Sequence, residues 1–420
     1  MTPETAVLPK PTSRTAAAAV LLASLGYFVD IYDLVLFSVL RVSSLKSLGV
    51  ADAQLVSTSG LLLDLQLGGM MLGGIAWGVL ADKRGRLTVL FGSIVIYSLG
   101  NLGNAFVQDI TWYGVCRLAA GFGLAGELGA GITLVSELLP KERRGLGTTL
   151  VATIGLTGAL AAGLIGEALI GWSATEGWRY AYGLGGVAGL LLLVLRLGVF
   201  ESGLFERTRS KDLQHGDVRQ LFFPRARALR FLRIVLVGMP IWFAAGVLFV
   251  FSPEIGGALG LSPKPTGGST IFWAYAGITV GDLASGLASH LLKSRKKVLG
   301  VFLSGLAVTL GLLLAFGGRS LATYYALMAL LGFTSGYWVL FVTTAAEQFG
   351  TNLRATVTTS APNFVRGSAI PITLAWMALK PVMGTVPATL AVGLACIAIG
   401  LWALWRMDES FHADLDFVER

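Results

Sequence analysis

Residues 78–86 read Gly-Val-Leu-Ala-Asp-Lys-Arg-Gly-Arg and form a short basic segment between two long apolar stretches. The segment combines the carboxylate of Asp82 with a cluster of cations and a glycine that permits a tight turn. Apolar runs of about 20 residues are long enough to cross a bilayer, and such runs stand on both sides. The pattern therefore predicts a loop between two membrane-spanning helices.

The composition of the whole chain agrees with that prediction. Of the 420 residues, 54% are hydrophobic and only 13% are charged, whereas a soluble protein carries roughly 25% charged residues. The 55 glycines suit membrane helices that pack closely through small side chains. We expect a polytopic protein embedded in a lipid bilayer.

The apolar runs fall into two sets of six. A polar, arginine-rich linker at 200–230 separates a predicted N-terminal bundle, 1–199, from a predicted C-terminal bundle, 231–420. The expected fold class is an all-α membrane protein with twelve transmembrane helices in two pseudo-symmetric six-helix bundles. The predicted spans are 16–40, 55–81, 87–107, 110–139, 146–171, 178–199, 231–252, 268–293, 297–316, 320–349, 355–380 and 386–406.

An internal repeat supports the division into halves. Glu347 and Arg354 repeat the spacing of Glu137 and Arg144 at a constant offset along the chain, and other residues keep the same offset. Several pairs in register indicate duplication of a six-helix unit.

The distribution of positive charge predicts the orientation. The formal net charge is +8, and most of the 32 Lys and Arg lie at the termini and in alternate loops. By the positive-inside rule, both termini are expected in the cytoplasm and the protein in the plasma (inner) membrane. Membrane topology thus explains the basic charge, and no nucleic-acid partner is expected.

The sequence gives little support to an enzyme. It contains no Walker loop, no metal-ligand cluster and no Cys/His nucleophile arrangement. Cys116 and Cys396 fall inside predicted spans, so no disulfide is expected. We expect no metal, no bound cofactor and a monomeric protein.

Charged side chains inside membrane spans are costly and therefore mark functional sites. Asp30 and Asp33 lie three residues apart in the first span and share one helix face. Two carboxylates so close cannot both ionise comfortably in a low-dielectric site, so one is expected to load and release a proton. The alternative is that one of them only reaches an aqueous vestibule, where water solvates it.

The fourth span adds a fixed cation and a further acid. Arg117 cannot lose its charge, so inside the membrane it needs an anionic partner, and Asp33 is the obvious candidate. Protonation of Asp33 would then free Arg117 and couple a proton to a conformational change. The alternative is a permanent ion pair that only joins the two spans. Glu127 follows ten residues later and suits a second proton site, a substrate contact or a structural role.

Taken together, these features resemble the Major Facilitator Superfamily of transporters. The segment 78–86 is similar to the loop between its second and third helices, and Tyr32-Asp33, Arg117 and Gly126-Glu127 resemble its proton-coupled symporters of metabolites, phosphate and sugars. The resemblance implies that Asp33 and Arg117 form the proton-coupling pair. The Asp-x-x-Asp spacing most resembles phosphate and organic-anion members, which implies that Asp30 and Glu127 lie by the substrate.

The same resemblance implies a cytoplasmic latch between the halves. It assigns to the latch a network of charges that breaks when the protein opens inward, formed by Asp82, Arg86, Glu137 and Arg144. Glu347 and Arg354, their counterparts in the repeat, are candidates for gating in the second half. Lys83 and Arg84 are expected to contribute only to topology. The seventh span lacks the Gln and Asn pattern of sugar transporters, which makes a sugar substrate less favoured.

The eleventh span carries a candidate substrate site. Arg366 lies near mid-membrane with Asn363 one turn before it, and a guanidinium beside an amide is a good clamp for a carboxylate or phosphate. The alternative pairs Arg366 with Asp282 in a structural salt bridge. Tyr337 and Trp338 in the tenth span are candidates to stack on the substrate, or else pack in the core.

We therefore expect a proton-driven symporter of a small organic anion such as a carboxylate, working by alternating access. Its partners would be the small-molecule substrate and protons, with the proton gradient as the energy source. Two other classes stay open. One is a uniporter, exchanger or efflux transporter of another small molecule, such as phosphate, a sugar or an amphipathic drug. The other is a membrane receptor that uses this fold without transport.

Overall fold

The computed structural model describes residues 13–84, 86–126, 141–201 and 221–411, and helices account for most of them. Ten helical stretches in these ranges are long and apolar enough to cross a membrane. The predicted fourth span begins with a helix at Ile110–Leu124, and its later part from 127 lies outside the described residues. The predicted eleventh span is divided. The expected all-α fold with two helical bundles is confirmed.

The first half contains α1 Ser13–Ser47, α2 Leu55–Arg84, α3 Arg86–Phe106, α4 Ile110–Leu124, α5 Lys141–Trp172 and α6 Gly177–Glu201. The second half begins with α7 Arg225–Phe243, α8 Ser252–Ala258, α9 Gly267–Leu292 and α10 Arg295–Phe316. It continues with α11 Leu321–Ser335, α12 Trp338–Glu347, α13 Thr351–Gly367, α14 Ala369–Met383 and α15 Thr385–Trp405.

Equivalent helices pack together in each half. In the first, α1 packs along α5, α2 along α4 and α3 along α6. In the second, α7 packs along α13 and α14, α9 along α11, and α10 along α15. This repetition agrees with the duplication indicated by the sequence. The halves meet where α5 packs against α9 and where α2 packs against α13 and α14.

Some helices extend past the apolar runs that predicted them. The seventh span was expected from 231, but α7 begins at Arg225. Arg227 donates to the carbonyl of Phe223 at 2.9 Å and Arg230 to that of Gln348 at 3.0 Å. Hydropathy marks the part of a helix inside the bilayer, whereas backbone hydrogen bonds continue the helix beyond it.

The tenth span is divided, although the sequence indicated one helix over 320–349. A Cβ on Gly336 would lie 2.6 Å from the Cα of Gly281 on α9, so the two backbones touch at this point. The chain bends there, and Asp282 Oδ1 accepts a hydrogen bond from the Val339 amide at 3.1 Å. That bond satisfies an otherwise unpaired N–H in the first turn of α12.

The eleventh span is divided as well, between α13 and α14, where 355–380 was expected to be continuous. A third irregularity follows Pro240 in α7, which passes into a π-helix at Ala244–Phe249. Short π-helical turns often occur at functional sites. We call the end at which α1 finishes the outer end, because the predicted orientation puts the termini in the cytoplasm.

Candidate functional site

Asp33 lies inside the first bundle. Its side chain is fully buried, and it points at α6, where a Cβ on Gly185 would lie 2.2 Å from Asp33 Oδ1. Arg117, Asp30 and the Asn101 amide all act electrostatically on its carboxylate. Within the described part of the chain, neither carboxylate oxygen has a hydrogen-bond partner of regular geometry. The structure thus places a buried acid near the predicted cation and away from lipid.

Arg117 on α4 is fully buried beside it. Its Nη2 donates to Gln66 Oε1 and its Nη1 to the Tyr182 hydroxyl at 3.4 Å. The guanidinium carbon also lies 4.8 Å from the centre of the Phe37 ring. Arg117 and Asp33 are therefore neighbours without a direct ion pair in this conformation. Gln66 is visible in the sequence as a polar residue inside the second predicted span, but the sequence does not show its partner.

A second buried arginine stands between the halves. Arg366 on α13 is 1% exposed, its Nη1 donates to Asn363 Oδ1 at 3.4 Å, and its guanidinium carbon lies 5.9 Å from the Trp338 ring centre. Asn363 Nδ2 in turn donates to the Ala125 carbonyl of the first half at 3.4 Å. The predicted neighbours Asn363 and Trp338 thus lie together at Arg366.

Asp30 is connected to this second arginine through Tyr27. The phenol of Tyr27, one turn before it, interacts electrostatically with Arg366, Asp30, Asp282 and Tyr275. Asp30 and Asp33 are both buried. Asp33 points into the first bundle, and Asp30 acts electrostatically on both Asp33 and Tyr27.

Two predicted partners of Arg366 have other roles. Asp282 does not pair with Arg366 but accepts from the Val339 amide, at the start of α12. Tyr337 is buried in the second bundle, where its hydroxyl donates to the Val237 carbonyl at 3.1 Å. Of the two candidate stacking aromatics, only Trp338 lies at the arginine.

A small cavity lies between the halves and is lined by one neighbour of each arginine. Gln66, which binds Arg117, lines it from the first half, and Tyr275, which interacts with Arg366, lines it from the second. The π-helix of the seventh span forms part of the wall. The other lining residues are Leu34, Val35, Ser38, Leu63, Leu67, Trp242, Ala245, Gly246, Phe249, Val250 and Ile271.

The cytoplasmic gating candidates are described only in the second half. Glu347 pairs with Arg295 at 3.0 Å and accepts from the Ser410 hydroxyl at 2.7 Å. Arg354 donates to the carbonyls of Ala346 and Phe349. Glu127 and Glu137, and the side chains of Asp82, Arg86 and Arg144, lie outside the described residues. Their roles stay predictions.

The structure also shows polar contacts across the halves that the sequence did not predict. At the outer end, Arg41 pairs with Glu254. Glu167 accepts from the Ser269 amide at 2.8 Å, at the start of α9. Glu167 is visible in the sequence near the outer end of the fifth predicted span, but nothing in a single sequence shows which distant residue faces it.

Deeper in the interface, Asp64 accepts from the Thr373 hydroxyl at 2.8 Å. The contact joins this acid of α2 to α14 of the other half. Among the residues that the structure describes, no group of three His, Cys, Asp or Glu is placed to hold a metal ion.

Comparison with known proteins adds a family. The model of the Major Facilitator Superfamily matches residues 23–374. The chain is 31% identical over 198 residues to the niacin transporter NiaP of Acinetobacter baylyi, and the match spans 47% of this chain and 44% of that relative. The chain thus spans less than half the length of that relative.

Two further matches cover more of the chain. The cis,cis-muconate transport protein of Acinetobacter baylyi is 25% identical over 87% of this chain and 88% of its own length. The xylose transporter XylE from E. coli, solved in an inward-open conformation, has a TM-score of 0.72 at 17% identity, over 94% of this chain and 97% of that chain. At that identity the similarity shows the fold alone.

Proposed function

Because the chain belongs to the Major Facilitator Superfamily and is a multi-pass membrane transporter, not an enzyme, we propose that it is a proton-coupled symporter. Its substrate would be a small organic anion such as a carboxylate, imported by alternating access. The proton gradient would supply the energy without a bound cofactor. The protein would lie in the inner membrane with both termini in the cytoplasm.

The main support for an anionic substrate is the position of Arg366. It is a buried cation between the halves, and its described contacts are an amide and an aromatic ring. A guanidinium with free N–H groups binds a carboxylate through two parallel hydrogen bonds. Trp338 and Tyr275 beside it suit the apolar body of a small acid.

Asp33 supports the coupling. A carboxylate buried without a regular hydrogen-bond partner among the described residues is costly when charged, and either a bound proton or a paired cation offsets that cost. Arg117 lies close enough to act on Asp33 but donates to Gln66 and Tyr182. A small movement of α4 would let Arg117 exchange Gln66 for Asp33. Proton binding and helix movement would then be linked.

The named relatives favour the same class of substrate. One is named for niacin and one for cis,cis-muconate, and both compounds are small carboxylic acids. The identities are low, and the first match spans less than half of that relative. For this reason we propose the class of acid and no individual compound.

The test is uptake by purified protein in liposomes with an imposed pH gradient, acidic outside. Nicotinate and cis,cis-muconate would be offered separately, with xylose as the neutral comparison. We expect at least one acid to accumulate above equilibrium, and a protonophore to abolish that accumulation. Uptake of xylose in place of both acids would overturn the proposed substrate class.

A uniporter or exchanger is the second candidate. It is favoured by one observation, the absence of a direct bond between Asp33 and Arg117 in this conformation. In that case the two residues would gate the protein without carrying a proton. Acid uptake that is unchanged after the pH gradient is collapsed would support this candidate over symport.

A further inference from the structure

Arg41 closes the outer end of the interface between the halves. Its side chain is buried, and its Nε donates to the Val250 carbonyl at 2.7 Å. The guanidinium also pairs with Glu254 and lies 5.0 Å from the centre of the Phe251 ring. These three partners belong to the second half. Its hydrogen bond to Ser59, at 3.2 Å, is the contact within its own half.

Aromatic rings and a second cation extend this contact. Phe251 stacks on Trp376 with ring centres 4.8 Å apart, and Lys380 Nζ lies 5.4 Å from the Trp376 ring centre. Lys380 interacts electrostatically with both Glu254 and Arg41. Two cations thus share one carboxylate, and these three charges sum to a net positive charge. We call Arg41, Phe251, Glu254, Trp376 and Lys380 the outer cluster.

The outer cluster lies over the cavity. Val250, which accepts from Arg41, also lines the cavity, and so does Ser38, three residues before Arg41 on α1. Three residues of helix rise about 4.5 Å. A solute that reaches the cavity from the outer end therefore passes Arg41.

Opening of the outer end removes most partners of Arg41. When the halves separate there, Arg41 loses Val250, Phe251 and Glu254 and keeps Ser59, while Glu254 stays in the same half as Lys380. Arginine cannot lose its charge, and a cation in a partly desolvated site attracts an anion strongly. The open outer end thus presents an arginine that lacks its carboxylate.

We propose that Arg41, assisted by Lys380, is a second anion-binding site at the outer end. It would hold the carboxylate of an incoming small organic acid before that acid reaches Arg366. Glu254 occupies the site when the outer end is closed, so closure exchanges the carboxylate of the solute for that of Glu254. The inference rests on the proposed function for its solute, and on the outer cluster for its site.

The first test is the concentration dependence of uptake from the outer side, with nicotinate and cis,cis-muconate as probes. We expect Arg41→Gln to raise the external KM about tenfold or more, and Arg41→Lys to raise it less. The KM for release from the inner side should not change. Arg319→Gln, an exposed outer arginine stacked on Phe316, is the matched control and should behave as wild type. Equal changes of KM on both sides would overturn the proposal.

The second test needs no transported substrate. Ser38→Cys, in a background with Cys116→Ser and Cys396→Ser, places a thiol in the cavity beneath Arg41. Negatively and positively charged methanethiosulfonates would then be added from outside. The measured quantity is the rate of thiol modification by the anionic reagent divided by the rate for the cationic reagent. We expect Arg41→Gln to lower this ratio several-fold and Arg319→Gln to leave it unchanged.

The two tests separate the two ideas. If neither acid is transported but Arg41→Gln still lowers the anionic preference, the proposed substrate class fails and the anion site stands. If the preference is the same with and without Arg41→Gln, the anion site is overturned whatever the uptake shows.

Discussion

The two halves each bury an arginine and an aspartate, but they hold them differently. In the first half, Arg117 donates to the neutral groups of Gln66 and Tyr182, and the Asp33 carboxylate has no regular hydrogen bond. In the second half, Asp282 is fixed by a backbone amide at the start of α12. Asp282 thus has one oxygen fixed and its Oδ2 unbonded, whereas neither oxygen of Asp33 has a regular hydrogen-bond partner among the described residues. The less satisfied acid is better suited to bind and release a proton, and the acid fixed by an amide is better suited to a structural role.

The arginines differ in the same way. Arg117 is enclosed in its own bundle between the Phe37 and Tyr182 rings. Arg366 lies where the halves meet, and its neighbour Asn363 bonds to the first half. A cation at the interface can contact a solute that both halves enclose. In the proposed function, the first half therefore binds the proton and the interface binds the anion. The following substitutions test this division of roles.

Substitution of Arg366 should have the largest effect. Arg366→Gln removes the buried cation, and we expect acid uptake to fall by about 10- to 100-fold, because hydrogen bonds to a charged group contribute roughly 1.5–3 kcal/mol. Arg366→Lys keeps the charge but loses the planar guanidinium, so its acid uptake should lie between that of Arg366→Gln and that of the wild type. Uptake kinetics in liposomes measure both. Uptake at the wild-type rate by Arg366→Gln would contradict an anion site at the interface.

Gly185→Ala tests the position of Asp33 without altering any charge. The added Cβ would lie 2.2 Å from Asp33 Oδ1, so the buried carboxylate must move. Overpacking of this kind costs roughly 1–3 kcal/mol, and we expect gradient-driven uptake to drop about tenfold. Gly183→Ala on the same helix is the matched control, because a Cβ there has no atom within 4 Å. Equal uptake by the two variants would show that the position of Asp33 is unimportant.

Asp282 should affect stability more than transport. Asp282→Ala leaves the Val339 amide without its acceptor, at a cost of about 1 kcal/mol. Asp282→Asn retains an acceptor oxygen and should lose less. Melting temperatures of the detergent-solubilised variants give the comparison. A proton-coupling defect in Asp282→Asn with unchanged melting would show that the second half also carries a proton.

The smallest effect is expected at Glu409, in the segment after α15. Burial raises its pKa, but hydrogen bonds from Ser294 and from the amides of Arg295, Phe411 and Lys296 outweigh burial and hold the pKa below its usual range. A carboxylate with a lowered pKa stabilises the fold above its unfolded-state pKa, and that contribution is lost as pH falls through the folded-state value. Glu409→Gln should therefore melt slightly lower than wild type near neutral pH and converge with it in acid. A gap that persists in acid would contradict this.

Much of the fold was predictable, because spans of apolar residues are set by the thickness of the bilayer. The sequence could not reveal the breaks in the tenth and eleventh spans. Gly336 permits a bend, but the bend also needs Gly281 from another helix at the same depth. The early start of α7 was also not predictable. Hydropathy shows which part of a helix lies in the bilayer and does not show how far its backbone hydrogen bonds continue.

The site was predictable in its ingredients and less so in its pairings. Charge inside a membrane marked Asp33, Arg117 and Arg366, and all three are buried. Their hydrogen-bond and ion-pair partners were harder to predict, because residues far apart in the sequence meet only in the folded structure. Gln66 binds Arg117, and Arg41 pairs with a glutamate more than two hundred residues away.

The most direct test of the account is Asp33→Asn in liposomes, with substrate and proton movement recorded together. The neutral side chain cannot carry a proton, so accumulation driven by the pH gradient and substrate-dependent proton influx should both be lost. Exchange of labelled for unlabelled acid should remain, because Arg366 is intact. Accumulation by Asp33→Asn with the same pH dependence and proton influx as wild type would contradict the account.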